Sequence, residues 1–159
     1  MDTLMAPREL LSPAEVDAAQ DAIALTDLKF TEQTVGWLRP MRDQVPVEAA
    51  RGCFLEVGGE FSERGLYAHA PARHVVEVDK AWKRLTAGYG LQTGHPGSVL
   101  FVVRGDDREL FRSDTVSDTK LRKLDVDISQ VTRLELIVEN AGDGNGGDWG
   151  VWLDPRLTR

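Results

Sequence analysis

From residue 23 onward the chain is cut every few residues into short runs of β-branched and apolar side chains, separated by Gly, Asp, Asn and Pro. Runs of that length suit strands and are too short for core helices. The pattern predicts strands near 23–28, 52–57, 66–69, 73–78, 84–91, 98–104, 108–112, 121–128, 132–139 and 148–157. Arg73-His74-Val75-Val76-Glu77-Val78 and Arg133-Leu134-Glu135-Leu136-Ile137-Val138 alternate for much of their length, which buries one sheet face and wets the other. Gly105-Asp106-Asp107 reads as a hairpin turn. No strand–helix–strand alternation appears, so a parallel nucleotide-binding sheet is not expected. The expectation is an all-β antiparallel sandwich over 23–159, preceded by a linker and short helix over 1–22. Ser12-Pro13-Ala14-Glu15 has the form of a capping box with proline at the first helical position, and predicts a helix over about 13–22.

A length of 159 residues fits one domain. Its 26 acidic against 19 basic residues give a net charge of −7, which disfavours a nucleic-acid partner, because phosphate binding draws on clustered Lys and Arg. Arg104, Arg108 and Arg112 recur at spacing four, but Asp106, Asp107, Glu109 and Asp114 lie among them, so the stretch reads as a solvated hairpin face. No apolar run approaches the roughly 18 residues a membrane-spanning helix needs. The opening Met1-Asp2-Thr3-Leu4-Met5 does not read as a secretory signal. The abrupt start leads to the expectation of a domain from a larger multidomain chain, whose compartment this sequence does not assign. The single cysteine, Cys53, cannot form an intramolecular disulfide and reads as a small buried apolar residue rather than a nucleophile.

Three features could carry chemistry. Gly142-Asp143-Gly144-Asn145-Gly146-Gly147-Asp148 combines backbone freedom with side-chain oxygens, which fits a tight turn, a cation loop or a polar contact to a ligand. Trp37, Trp82, Trp149 and Trp152 offer flat rings, on which the apolar face of a sugar can stack. Trp149 and Trp152 are offset by three, so on a regular strand they point to opposite faces. Trp149, beside the polar loop, is the expected platform and Trp152 the core residue. His69 lies where a strand gives way to Ala70-Pro71, and a neutral imidazole there can donate to one hydroxyl and accept from another. His74 and His95 are too far apart for a metal-spacing argument. No nucleophile elbow, zinc-protease helix or phosphate loop is present.

Together the residues resemble the NPCBM family, carbohydrate-binding modules attached to glycoside hydrolase family 98 enzymes and related to carbohydrate-binding module family 51. The resemblance covers about residues 24 to 157. It rests on Leu25-Thr26-Asp27-Leu28, Val35-Gly36-Trp37, Gly65-Leu66-Tyr67-Ala68-His69-Ala70, Gly97 through Val103, and the closing Ala141-Gly142-Asp143-Gly144 with Asp148 through Asp154. This chain departs from the family at Tyr67, where a glycine is usual, and at Trp149 and Val151, where the family ending usually has histidine and a second aspartate.

The resemblance implies a galactose-binding-like jelly roll and no catalytic activity. It also implies a ligand surface at the loop end holding Trp37, His69 and Trp149, with Asp143, Asn145 and Asp148 as polar partners. A structural calcium ion is a further implication, with Asp27 and Asp154 as candidate ligands. The expected partner is a carbohydrate, a glycan chain end or terminal sugar, to which the module tethers a linked domain. The alternative is a structural or protein-interaction sandwich that has lost sugar binding, for which the departures at Trp149 and Val151 speak.

Overall fold

The computed structural model describes residues 9–46, 54–142 and 148–159; the readings made for Cys53, Asp143 and Asn145 lie outside these. In chain order the strands are β1 (Ala22–Ala24), β2 (Glu32–Thr34), β3 (Met41–Arg42), β4 (Leu55–Val57), β5 (Glu60–Ser62), β6 (Gly65–His69) and β7 (Ala72–Glu77). They continue with β8 (Arg84–Leu91), β9 (Val99–Gly105), β10 (Arg108–Arg112), β11 (Arg122–Asp127), β12 (Arg133–Asn140) and β13 (Trp149–Thr158). One sheet has the order β11-β8-β13-β6-β3, with β1 completing its six strands alongside the second half of β13. The other has the order β10-β9-β12-β7-β2, and β4 and β5 form a separate hairpin. All these pairings are antiparallel. Among the described residues no helix is long and apolar enough to cross a membrane.

Alternation sorts each strand between two faces. Leu85, Ala87, Tyr89 and Leu91 of β8 and Trp152 of β13 meet Phe101 and Val103 of β9 and Leu134, Leu136 and Val138 of β12 in one core between the sheets. Trp152 is fully buried, edge-on to Phe101 at 5.1 Å, as its position on the strand predicts. The intervening side chains of the six-stranded sheet, Tyr67, Trp149, Val151 and Leu153, form a second apolar cluster on its outer face, closed by Leu55 and Val57 of the β4–β5 hairpin.

On the outer face of the five-stranded sheet Glu135 is 3% exposed and held by Arg73, with Arg104 and Arg133 nearby. Arg112 pairs with Glu109 and Glu139. Arg104 and Arg112 are thus engaged in ion pairs rather than set out to receive an anion.

The N-terminal segment departs from expectation. The capping box forms, with the backbone N–H and hydroxyl of Ser12 both donating to Glu15 Oε1, but it opens only a three-residue 3-10 turn, Pro13–Glu15, in place of the helix expected over 13–22. Val16 leaves helical geometry at φ −75° and ψ 128° and buries its side chain in the core. The Asp17 carboxylate then accepts from the Ala19 N–H, a local turn that competes with helix propagation. Docking one apolar residue outweighs extending a weakly amphipathic helix.

His74 on β7 is fully buried, and neither ring nitrogen has a hydrogen-bond partner among the described residues. Phe30 stands edge-on to it at 5.7 Å, with the Arg42 guanidinium 4.1 Å over the far ring. Burial, reinforced by the Arg42 charge, pushes the imidazole pKa from 6.5 down to about 4. The unfolded chain therefore binds this proton more readily than the native state. His74 is neutral and costs nothing above its unfolded value; as pH falls through that value towards 4, native stability is lost, on the order of 3 kcal/mol from this group alone. Melting temperatures measured along a descending pH series are expected to fall less for His74→Leu than for wild type. Equal slopes would show that His74 does not govern acid sensitivity.

Candidate functional site

The register of two strands assembles the site. β6 and β13 pair with Trp149 opposite His69 and Val151 opposite Tyr67, and side chains opposite each other in a ladder share a face. Tyr67, His69 and Trp149 therefore meet on the outer face, Trp149 lying 5.2 Å from the Tyr67 ring and 5.9 Å from His69.

Two loops close over this floor. After β2, the Gly36 N–H donates to the His69 carbonyl at 2.8 Å. A β-carbon at residue 36 would fall 2.0 Å from the Ala70 carbonyl oxygen, so only glycine permits this approach. Trp37 is thereby laid against Trp149 at 5.5 Å and His69 at 5.9 Å, both edge-on, and its carbonyl accepts from the Tyr67 hydroxyl at 2.9 Å. After β8, the Gln92 N–H donates to the Trp149 carbonyl and the His95 N–H to the Gln92 carbonyl. That turn stacks the His95 ring on Trp149 at 4.0 Å and 17°.

Asp148 holds the start of β13 in place. Its carbonyl accepts from the Ala70 and Gly150 N–H groups, and its carboxylate accepts from the Ser98 N–H at 3.0 Å.

The electrostatics are those of an uncharged surface. Burial lowers the His69 pKa, partly offset by its hydrogen bond to the Ala70 carbonyl and by the charge of Asp148. Burial also lowers that of His95, with repulsion from His69 adding to the effect. Both imidazoles are neutral at pH 7. The His69 Nδ1 lies 2.8 Å from the Ala70 carbonyl oxygen, an arrangement that requires the proton on Nδ1 and leaves Nε2 as an acceptor. Burial pushes the Tyr67 phenol up, so its hydroxyl stays protonated and continues to hold Trp37.

The NPCBM/NEW2 domain model matches residues 21–158. The chain belongs to the NPCBM/NEW2 domain family. Among solved structures it is similar to the CBM51 of a Clostridium perfringens glycoside hydrolase family 95 protein in complex with methyl-galactose, with 23% identity and a TM-score of 0.76 over 86% of this chain and 99% of that one. It is also similar to a structure of CBM51-2, in complex with GlcNAc, and INT domains of C. perfringens ZmpB, with 22% identity and a TM-score of 0.76 over 87% of this chain and 31% of that one. A third likeness is to tandem CBM51 modules of a Streptococcus pneumoniae family 98 glycoside hydrolase, with 18% identity and a TM-score of 0.74 over 96% of this chain and 51% of that one. These likenesses confirm the expected β-sandwich. No curated protein matches the chain.

Within this NPCBM domain, Trp37, His69 and Trp149 do come together, but with different parts from those expected. Trp149 is 2% exposed and Trp37 47%, so Trp149 is the floor and Trp37 the solvent-facing ring. The expected stacking face of Trp149 is taken by His95. Asp148 is 1% exposed, and its carboxylate faces the backbone of the loop before β9, a structural position rather than an open ligand contact. Tyr67, noted in the sequence only as a departure from the family, and His95, weighed there only as a metal ligand, were not expected at the site. Tyr67 lies two residues before His69 and so had to share its face, whereas nothing in the sequence tied His95 to Trp149.

Both candidate calcium ligands are held by arginines. The Asp27 carboxylate is paired with Arg64 at 2.5 Å, and that of Asp154 with Arg156 at 3.0 Å. Among the described residues no group of three or more His, Cys, Asp or Glu side chains is placed to hold a metal.

The burial of these rings orders their contributions to stability. Trp152→Ala is expected to cost about 3 to 5 kcal/mol, and Trp149→Ala to approach that range. Trp37→Ala should cost much less, since its ring is half in solvent. Chemical denaturation of the three variants checks this; a Trp149→Ala protein as stable as wild type would contradict its assignment as floor.

Proposed function

We propose that this NPCBM domain is a non-catalytic module that binds a neutral terminal sugar at the loop end and holds a linked domain near its glycan substrate. The observation that carries the reading is a half-exposed Trp37 ring held edge-on against the buried His69 and Trp149 rings, with the half-buried His95 stacked on Trp149. A sugar has an apolar face that suits such a ring, and hydroxyls that need directed, uncharged partners. His69 Nε2 is the acceptor available here. Support comes from the family, and from structures of similar fold whose complexes contain methyl-galactose and GlcNAc. Tethering would act by raising effective concentration, without any chemistry of the module's own.

The stacking of His95 on Trp149 favours a second reading. With that aromatic face already covered, the module could have kept the sandwich and lost the sugar. Calorimetry with methyl-galactoside and GlcNAc decides between the two. Saturable binding that weakens at least about tenfold, or 1.4 kcal/mol, in Trp37→Ala, and by roughly 1 to 3 kcal/mol in His69→Ala, supports the first. No binding across a broad glycan array would favour the second.

The same site predicts a pH dependence. Affinity is expected to hold through neutral pH and to fall on the acid side of the ordinary histidine value of 6.5, because both site histidines have lowered pKa values and protonating His69 removes its acceptor. An affinity that rises on acidification would exclude neutral His69 as a sugar contact.

A further inference from the structure

We propose that the free edge of β5, with the groove beside it, takes up an extended peptide segment of a protein partner, small or apolar on its inward side chains and basic on its outward ones. The proposal goes beyond the loop-end reading and does not rest on it. The hairpin turn sets up the edge. Gly58 and Gly59 both have positive φ, 59° and 85°, and Val57 stands opposite Glu60, so a two-residue turn joins β4 to β5 and the pair flanking it exchanges hydrogen bonds. The next pair, Glu56 and Phe61, therefore points its main-chain groups away from the hairpin on either side. On the β4 side both are taken: the Glu56 N–H donates to Gln92 Oε1 at 3.1 Å, and its carbonyl accepts from the Thr93 N–H at 2.9 Å. On the β5 side the N–H and carbonyl of Phe61 have no hydrogen-bond partner among the described residues. An unpaired donor and acceptor on an edge strand is the template to which an extended chain adds.

There is room for that chain. β5 lines one side of a groove of about 550 Å³ whose other sides come from β8, β11 and β13, and no residue of β4 lines it among the described residues. The groove therefore lies at the open edge of β5, not at its paired one. Its floor includes Gly88, where a β-carbon would stand 3.0 Å from Leu121 and 3.4 Å from Leu153. A small or apolar side chain directed towards the sheet suits that floor. The template is also fixed in place: Gln92, which holds Glu56, donates from Nε2 to the Phe54 carbonyl at 2.8 Å, so only the incoming segment has to be ordered.

The solvent side of the hairpin says what the outward side chains of that segment should be. Leu55 and Val57 are buried against the sheet, so alternation sets Glu56, its cross-strand partner Phe61 and, two residues on, Glu63 on the opposite side. Phe61 is 66% exposed, and Phe54, equally exposed, lies edge-on to it at 6.3 Å. Adjoining apolar rings held in solvent mark an interaction surface. Glu56 and Glu63 have no ion pair among the described residues. A strand added to β5 places its outward side chains next to Phe61, where an arginine or lysine meets both a ring face and the carboxylates. A second copy of this chain, with its net charge of −7, would instead bring the same acidic edge against its own.

The test is an amide NMR titration of the full chain with the peptide acetyl-Ser-Val-Arg-Val-Arg-Val-Ser-amide, whose valines and arginines fall on opposite faces when extended. Saturable shifts are expected at Phe61, Ser62 and Gly88, and the Phe61 amide proton should move downfield and gain protection from exchange as it becomes hydrogen-bonded. Replacing both arginines of the peptide by glutamate should weaken binding at least about tenfold. Phe61→Pro, which removes the outward N–H from an edge position, should abolish binding. Phe61→Ala, which keeps that N–H, should retain the protection at residue 61 with lower affinity. Melting curves check that both variants fold; if Phe61→Pro does not, protection of the wild-type amide decides. Absence of shifts along β5 at millimolar peptide overturns the proposal, as do shifts that saturate without protecting the Phe61 amide. Equal affinity for the arginine and glutamate peptides overturns the basic partner. A concentration-dependent dimer of the free chain, lost in Phe61→Pro, would assign the edge to a second copy and overturn it too.

Discussion

The position of β13 in the six-stranded sheet is the constraint on which the rest depends. It pairs with β8 on one side and with β6, then β1, on the other. Its alternation fixes which of its tryptophans reaches which layer. Trp152 goes between the sheets and Trp149 outside them; a one-residue slip would exchange the two. Both faces of this strand are apolar because both are covered, one by the second sheet and the other by the β4–β5 hairpin and the loops carrying Trp37 and His95. Even the bulge between Leu153 and Arg156 has a role: it turns Asp154 out to Arg156 and passes the strand's free edge from β6 to β1.

The loop-end site follows from that register and from three backbone contacts. Gly36 on the His69 carbonyl, Gln92 on the Trp149 carbonyl, and Asp148 linking Ala70 to Ser98 bring four distant segments to one point. All but the Asp148 carboxylate's bond to the Ser98 N–H run from main chain to main chain, so the cluster is held largely by the frame, as a preorganised binding surface requires. The two histidines are kept neutral by burial, consistent with an uncharged ligand.

Sequence reading recovered this architecture unevenly. The long alternating strands were legible, β8 and β10 to the residue, because a half-buried sheet writes its period directly into the chain. β2, β3 and β5 were not, since Glu32–Thr34, Met41–Arg42 and Glu60–Ser62 are two- or three-residue strands with no apolar alternation to detect. The capping box at Ser12 was read correctly, yet the helix it announced stops after one turn because Val16 is drawn into the core. At the site, the offset of Trp149 and Trp152 gave opposite faces but not exposure. What covers Trp149 is His95, whose approach depends on tertiary folding. The resemblance to a known family supplied the neighbourhood of Trp37, His69 and Trp149, and the structure then redistributed their parts.

Trp37 is the solvent-facing ring of the proposed sugar site, and of the four tryptophans it alone is substantially exposed. Acrylamide quenching of tryptophan fluorescence, followed as methyl-galactoside or GlcNAc is added, therefore reads the claim directly. The account predicts a saturable loss of quenching with sugar, absent in Trp37→Phe. Quenching of the wild type that stays unchanged at saturating sugar would contradict it.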